Sequence, residues 1–241
     1  MVSGPGNQGV SSSSTGASSS VIRRGKFTTG IKGSMGSRRR KSSFLGDTSM
    51  REIPRRALID WSRLGRAVNF YKGFGFQQIE TPWRITQAIY DATAPQTATP
   101  FRCRLDGDRP DILVGSAEQG LLEIMGSLRR GNYLSVSPCF RDNEVDETHF
   151  SDFMKVELCV VDPSPDAHEW LGLLATRFAK SEGTEIERVM TDSGFDLYCG
   201  GIEIGSYGLR SAALGGQIFT WAYGTGLAEP RFSQAIQYGS S

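Results

Sequence analysis

The chain has 241 residues, 38% of them hydrophobic and 22% charged, which suits one good-sized soluble domain with a tail. No run approaches the roughly 18 apolar residues of a membrane span, so an integral membrane protein is not expected. Four scattered cysteines (Cys103, Cys139, Cys159, Cys199) and two histidines speak against a disulfide scaffold or a structural zinc site and for a reducing, cytoplasmic setting.

The net charge of +1 conceals two materials. Residues 1–50 hold eight Lys/Arg against one acid, Asp47, for +7, and the remainder carries −6. This first segment is rich in Ser and Gly and lacks apolar periodicity, so it is expected to be disordered. Three roles stay open for it: a solvated extension, a polybasic arm that contacts RNA, or an organelle transit peptide. The opening MVSGPGNQGV is too glycine-rich for an amphipathic targeting helix. A secretory signal would need an apolar core that is missing.

The domain is expected to begin near residue 52. Leu58, Trp61, Leu64, Val68 and Tyr71 recur at helical spacing, predicting a helix from Arg55 to Tyr71. Gly73 and Gly75 end it, and Phe76 to Glu80 reads as a strand stopped by Pro82. Further on, Ile112–Val114 reads as a short strand. Ser116 then caps a helix, with Gln119 as capping-box partner, a buried stripe of Leu121, Leu122, Met125 and Leu128, and Gly131 as its break.

Two strands follow, flanking the polar loop DNEVDETHFSD. Leu134, Val136, Pro138 and Phe140 alternate with Ser135, Ser137, Cys139 and Arg141. Met154, Val156, Leu158 and Val160 alternate with Phe153, Lys155, Glu157 and Cys159. An antiparallel pair with one apolar face results. Its other face offers an arginine, a ring, a lysine and a carboxylate, a floor for a charged ligand that bears a ring. Ser164-Pro165-Asp166 starts a helix that turns Trp170, Leu171, Leu174 and Phe178 inward. GGIEIGSYG reads as a strand with Glu203 opposite Ile202 and Ile204. Ile218 to Tyr223 forms a last strand, entering GTGLAEPR. That glycine-rich segment is either simple turn chemistry or a close approach of backbone to phosphate at a helix start, with Arg231 in the first turn.

In order, these units resemble the catalytic core of class II aminoacyl-tRNA synthetases, from about residue 52 onward. The first motif of that family, a long helix and a strand ending in proline, is similar to RALIDWSRLGRAVNFYKGFGFQQIETP, ending at Pro82. CFRDNEVDETHFSDFMKVE resembles the second, with Arg141, His149, Phe153 and Glu157. GTGLAEPR resembles the third, with Gly224, Gly226 and Arg231. Ser116-Ala117-Glu118 looks like the family's amino-acid-sensing loop. The resemblance implies an α/β (α+β) fold, an antiparallel sheet flanked by helices, in residues 52–241, and a homodimer packed through the first motif.

It also implies roles. Arg141 would clamp the α-phosphate of ATP and the amino-acid carboxylate, Phe153 would stack under adenine, and Arg231 would cover the ring and reach the γ-phosphate. Glu157 and Glu203 would hold Mg²⁺. Glu118 would bind the α-ammonium, and Ser116, Ser206, Gly224 and Gly226 would line the amino-acid pocket. The implied reaction is attack of a carboxylate on the α-phosphorus. It releases pyrophosphate and leaves an aminoacyl-adenylate for tRNA or another acceptor, with Arg141 and Arg231 as the catalytic charges.

The chain departs from the family pattern at Asn143, which stands where a glutamate is usual, at Thr148, and at Ala228 in place of a third glycine. It ends soon after the third motif, so a stand-alone paralogue without an anticodon-binding domain is expected. The alternative is a catalytically silent binding or regulatory protein. Among single residues, His149 is expected to order its loop and His168 to lie at the surface. Trp61, Trp170 and Trp221 are expected in the core. The cysteines are expected to be structural thiols. Lys155 is expected either to touch substrate or to pair with an acid.

Overall fold

The computed structural model describes residues 58–94, 99–103, 111–142 and 149–239. The basic segment before residue 51, residues 55–57 of the first predicted helix and the hairpin loop with Asn143 and Thr148 lie outside them. The described architecture is a seven-stranded sheet flanked by helices on both faces, as the sequence implies.

Asp60 accepts from the Arg63 amide at 2.8 Å and caps helix α1, Trp61–Gly73. The helix buries Leu64, Ala67 and Tyr71. Trp61, expected in the core, is instead 64% exposed, and Leu58 is 86% exposed. Trp61 opens the helix, one turn short of the residues that meet the sheet. Gly75 turns the chain at φ +85°, and the predicted strand shrinks to β1, Gln77–Gln78.

Strand β2 (Arg84–Ile85), helix α2 (Gln87–Thr93) and strand β3 (Ile112–Leu113) follow, with β2 and β3 forming a separate antiparallel pair. Helix α3 (Ala117–Glu123) has the complete capping box of Ser116 and Gln119, and a 3₁₀ turn at Met125–Ser127 extends it. Gly120 lets it lie against the first motif's end, since a Cβ there would sit 2.8 Å from the Pro82 carbonyl oxygen.

The central strands are β4 (Gly131–Phe140) and β5 (Asp152–Val161), antiparallel in unbroken register. Helix α4 (Ala167–Ser181) leads to β6 (Glu187–Thr191), β7 (Gly194–Cys199), β8 (Ile202–Leu214), β9 (Gln217–Glu229) and helix α5 (Arg231–Gly239). The sheet order is β1-β4-β5-β9-β8-β7-β6. The β1–β4 pair is parallel and the others are antiparallel. Gly215 and Gly216, at φ +60° and +82°, supply the two left-handed residues of a tight β8–β9 hairpin.

Helices α1, α4 and α5 cover one sheet face, where Tyr71, Leu134, Leu158, Leu171, Phe178 and Phe232 interlock. Helices α2 and α3 cover part of the other face, where Leu121 and Met125 form one cluster with Tyr133, Trp221 and Tyr223 of the sheet. Both faces of β4 and β5 therefore carry packed side chains, more than the one apolar face expected. His168, expected at the surface, has its side chain four-fifths covered and lies 6.1 Å from the Phe195 ring.

The end of β9 is tied to the helices by Arg63. Its Nη1 donates to Glu229 at 2.9 Å and its Nε to Glu182, beyond α4, also at 2.9 Å. Glu229 has no exposure, and burial pushes its pKa up against the pull of Ser233 and Arg63. Arg63→Ala should cost about 3–5 kcal/mol at neutral pH, because it strands a buried carboxylate. The cost should shrink in acid, where Glu229 takes up a proton. Urea denaturation at both pH values measures it, and a loss near the 0.5 kcal/mol of a surface pair would contradict this reading.

Candidate active site

The uncovered part of the second sheet face, between β4–β5, β8–β9 and the start of α3, forms an open cavity of about 330 Å³. The two motif arginines both line it, although they lie on distant stretches of chain. Arg141 follows β4. Its amide donates to Ser151 and its Nε to the Gly115 carbonyl, each at 2.8 Å, and its guanidinium lies 5.1 Å from the centre of the Phe153 ring. Arg231 opens α5, with Nη1 3.9 Å from Glu203 Oε1. Ser206 donates to the same Glu203 oxygen at 3.4 Å.

Of the residues predicted to form a site, Arg141, Phe153 and Arg231 line this cavity, and so do Ser116, Glu118, Glu203 and Ser206. Glu157, Gly224 and Gly226 do not. Glu157 is completely buried under Lys155, whose ammonium stands 2.6 Å from its Oε2. Burial pushes the Glu157 carboxyl above its ordinary pKa, with Lys155 pulling the other way. Its Oε1 has no hydrogen-bond partner among the described residues.

Lys155 pairs with an acid, one of the two roles left open for it, and it also lines the cavity. The two carboxylates expected to hold Mg²⁺ differ in setting: Glu203 lines the cavity, and the buried Glu157 already holds an ammonium. These residues do not fit a two-carboxylate magnesium site.

Glu118 is engaged at both oxygens. Trp221 Nε1 donates to Oε1 at 2.7 Å and Arg210 Nη1 to Oε2 at 2.5 Å. Arg210 stacks 4.1 Å over the Tyr223 ring. Sequence reasoning missed Arg210 as a site residue. The Gly-Gly pair at 215–216 was its signal, since the hairpin it makes sets Arg210 opposite Trp221. Three of the cysteines, Cys139, Cys159 and Cys199, are buried, and burial pushes the Cys139 thiol up to about 12.

No family model matches the sequence, and no curated protein does. Solved structures do match. One is a pyrrolysyl-tRNA synthetase from Desulfitobacterium hafniense, with a TM-score of 0.57 and 16% identity over 73% of this chain and 66% of that one. Another is the cytoplasmic serine-tRNA ligase from Naegleria fowleri in complex with AMP, with a TM-score of 0.60 and 18% identity over 76% of this chain and 56% of that one. The fold is that of a class II aminoacyl-tRNA synthetase core. The chain spans less than two thirds of either synthetase.

Within this synthetase fold the third-motif glycines have a different place from the one expected. They are not in a turn, because β9 continues through them to Glu229. A Cβ on Gly224 would lie 2.6 Å from the Tyr207 ring, and one on Gly226 would lie 2.9 Å from the Tyr71 ring. Both face the helix-covered core. The two tyrosine rings stand close against the strand, and the Tyr207 and Tyr71 hydroxyls donate to the Thr225 and Gly226 carbonyls at 2.6 and 2.8 Å.

Gly224→Ala should therefore destabilise by about 1–3 kcal/mol through overpacking, a shift read from thermal or urea melts. A fully stable variant with altered ligand binding would instead return Gly224 to the cavity wall.

Proposed function

We propose that the protein activates a carboxylic acid, an amino acid or close analogue, as an acyl-adenylate at the expense of ATP, and passes the acyl group to tRNA or another acceptor. The observation that carries this reading is the convergence of Arg141 and Arg231 on one cavity floored by Phe153. Guanidinium forks are matched to phosphate and carboxylate oxygens. The neighbouring fold from Naegleria fowleri, solved in complex with AMP, supports a nucleotide.

In this reading the triphosphate draws Arg141 off Phe153, and the ring so vacated receives the nucleobase. Arg231 meets the distal phosphates from the α5 end. The attacking carboxylate lies near Lys155 and Ser116, and it displaces pyrophosphate by in-line attack on the α-phosphorus. No residue needs to become a nucleophile or to remove a proton, because a carboxylate is already ionised. Catalysis consists of alignment and charge neutralisation. Magnesium enters only as the companion of the triphosphate.

A second reading, a silent binding protein, is favoured by the Lys155–Glu157 pair. It closes over the carboxylate that resemblance assigns to the metal.

The deciding measurement is exchange of labelled pyrophosphate into ATP across a panel of amino and other carboxylic acids. Exchange with at least one acid is expected, falling roughly 10²–10³-fold in Arg141→Ala, the cost of losing one charge-stabilising donor. Nucleotide binding with no exchange for any acid would establish the silent reading instead.

A further inference from the structure

The carboxylate assigned by resemblance to an α-ammonium is not waiting for one. Glu118 is 4% exposed, and its two oxygens are taken by Arg210 and Trp221. What it holds is a guanidinium, and it holds it firmly. The tryptophan fixes the carboxylate from one side, and the Tyr223 ring supports the arginine's flat face at 4.1 Å. Arg210 makes no other hydrogen bond among the described residues, its side chain is one third exposed, and it lines the cavity. Its Nε and Nη2 hydrogens remain for a ligand.

The other anchors give this arginine a position. Arg141 is tied to Gly115, Lys155 contacts Ser116 at 3.4 Å, and Arg210 is tied to Glu118. Two guanidiniums therefore stand at opposite ends of one short turn, with an ammonium between them. A molecule laid along that turn meets a cation at each end. A cationic side chain would be repelled at Arg210. A hydrocarbon one would leave a partly buried fork unpaired, which costs free energy. A carboxylate matches the fork. An α-ammonium still finds Glu203, whose side chain is 40% exposed.

We propose that the cavity takes an acyl substrate with two carboxylates, an acidic amino acid or a simple dicarboxylic acid. The reacting carboxylate lies between Arg141 and Lys155, next to the α-phosphate, and the distal one at Arg210. This inference rests on the adenylating reading for what happens to the bound acid, but not for the binding itself.

The test is binding of aspartate, glutamate, succinate and glutarate, against asparagine, glutamine, leucine and lysine, followed by calorimetry and thermal shift on the full chain with ATP present. At least one diacid should bind and raise Tm, and its amide or hydrocarbon counterpart should bind much more weakly. The amino and desamino diacids show which source of the second carboxylate is used. Arg210→Lys, which keeps the ion pair with Glu118 but loses the planar fork, should weaken diacid binding by about 30-fold or more while the unliganded variant keeps a cooperative melt.

Failure of every diacid to bind would overturn the proposal. So would equal binding of the amides, or full-strength diacid binding in a folded Arg210→Lys. Diacid binding without pyrophosphate exchange would sink the adenylating reading and leave this one standing. Exchange with neutral or basic amino acids alone would do the reverse.

Discussion

Four positive side chains, Arg141, Lys155, Arg210 and Arg231, share one small cavity, and the structure around it is organised to hold them there without a ligand. Like charges in a partly dry site repel, so each is given its own counterweight. Arg141 has a carbonyl and a ring, Lys155 has Glu157, Arg210 has Glu118, and Arg231 has Glu203. These counterweights are unequal in kind. The buried carboxylates Glu118 and Glu157 fix their partners as parts of the wall. The carbonyl, the ring and the half-exposed Glu203 can release theirs to an incoming phosphate. The cavity thus has a rigid end and an adjustable end, which in the proposed reaction would hold the acyl group and the nucleotide respectively.

That division needs a stiff base, and the opposite sheet face supplies it. Tyr71 and Tyr207 press against β9 where Gly224 and Gly226 leave room for their rings. Arg63 ties the last residue of that strand to the region beyond α4. Arg231 follows after Pro230, so its place over the cavity depends on packing on the far side of the sheet. Residues that resemble ligand contacts in a motif can therefore serve the ligand at one remove. Here the glycines act by shaping the strand that carries the arginine.

What was legible in the sequence was mostly local. The alternation in β4 and β5, the capping box of Ser116 and Gln119, and the helix of α4 each follow from short-range periodicity or a cap, and each is present. The convergence of Arg141 and Arg231 was legible only through the order of the motifs, since nothing in either segment points to the other. Misreadings arose where a tertiary contact decided the outcome. Gly224 and Gly226 read as a turn because glycine usually marks one, whereas here two distant tyrosines require it. Glu157 read as a metal ligand, although Lys155, two residues earlier on the same strand face, was the nearer cation. Trp61 read as core because its spacing fitted the stripe, but the helix begins there and the sheet lies further along. The hairpin of β6 and β7, strand β2 beside the expected short strand at Ile112, and α2 left weaker patterns than the long strands, and they went unanticipated.

The proposed grip of Arg141 and Arg231 on one nucleotide is most directly tested by a double-mutant cycle for ATP binding, using Arg141→Ala, Arg231→Ala and the pair, each followed by calorimetry. If both guanidiniums grip the same folded triphosphate, their effects should be non-additive, with a coupling energy of about 1 kcal/mol or more. Losses that add to within about 0.3–0.5 kcal/mol, as they do for independent sites, would contradict it.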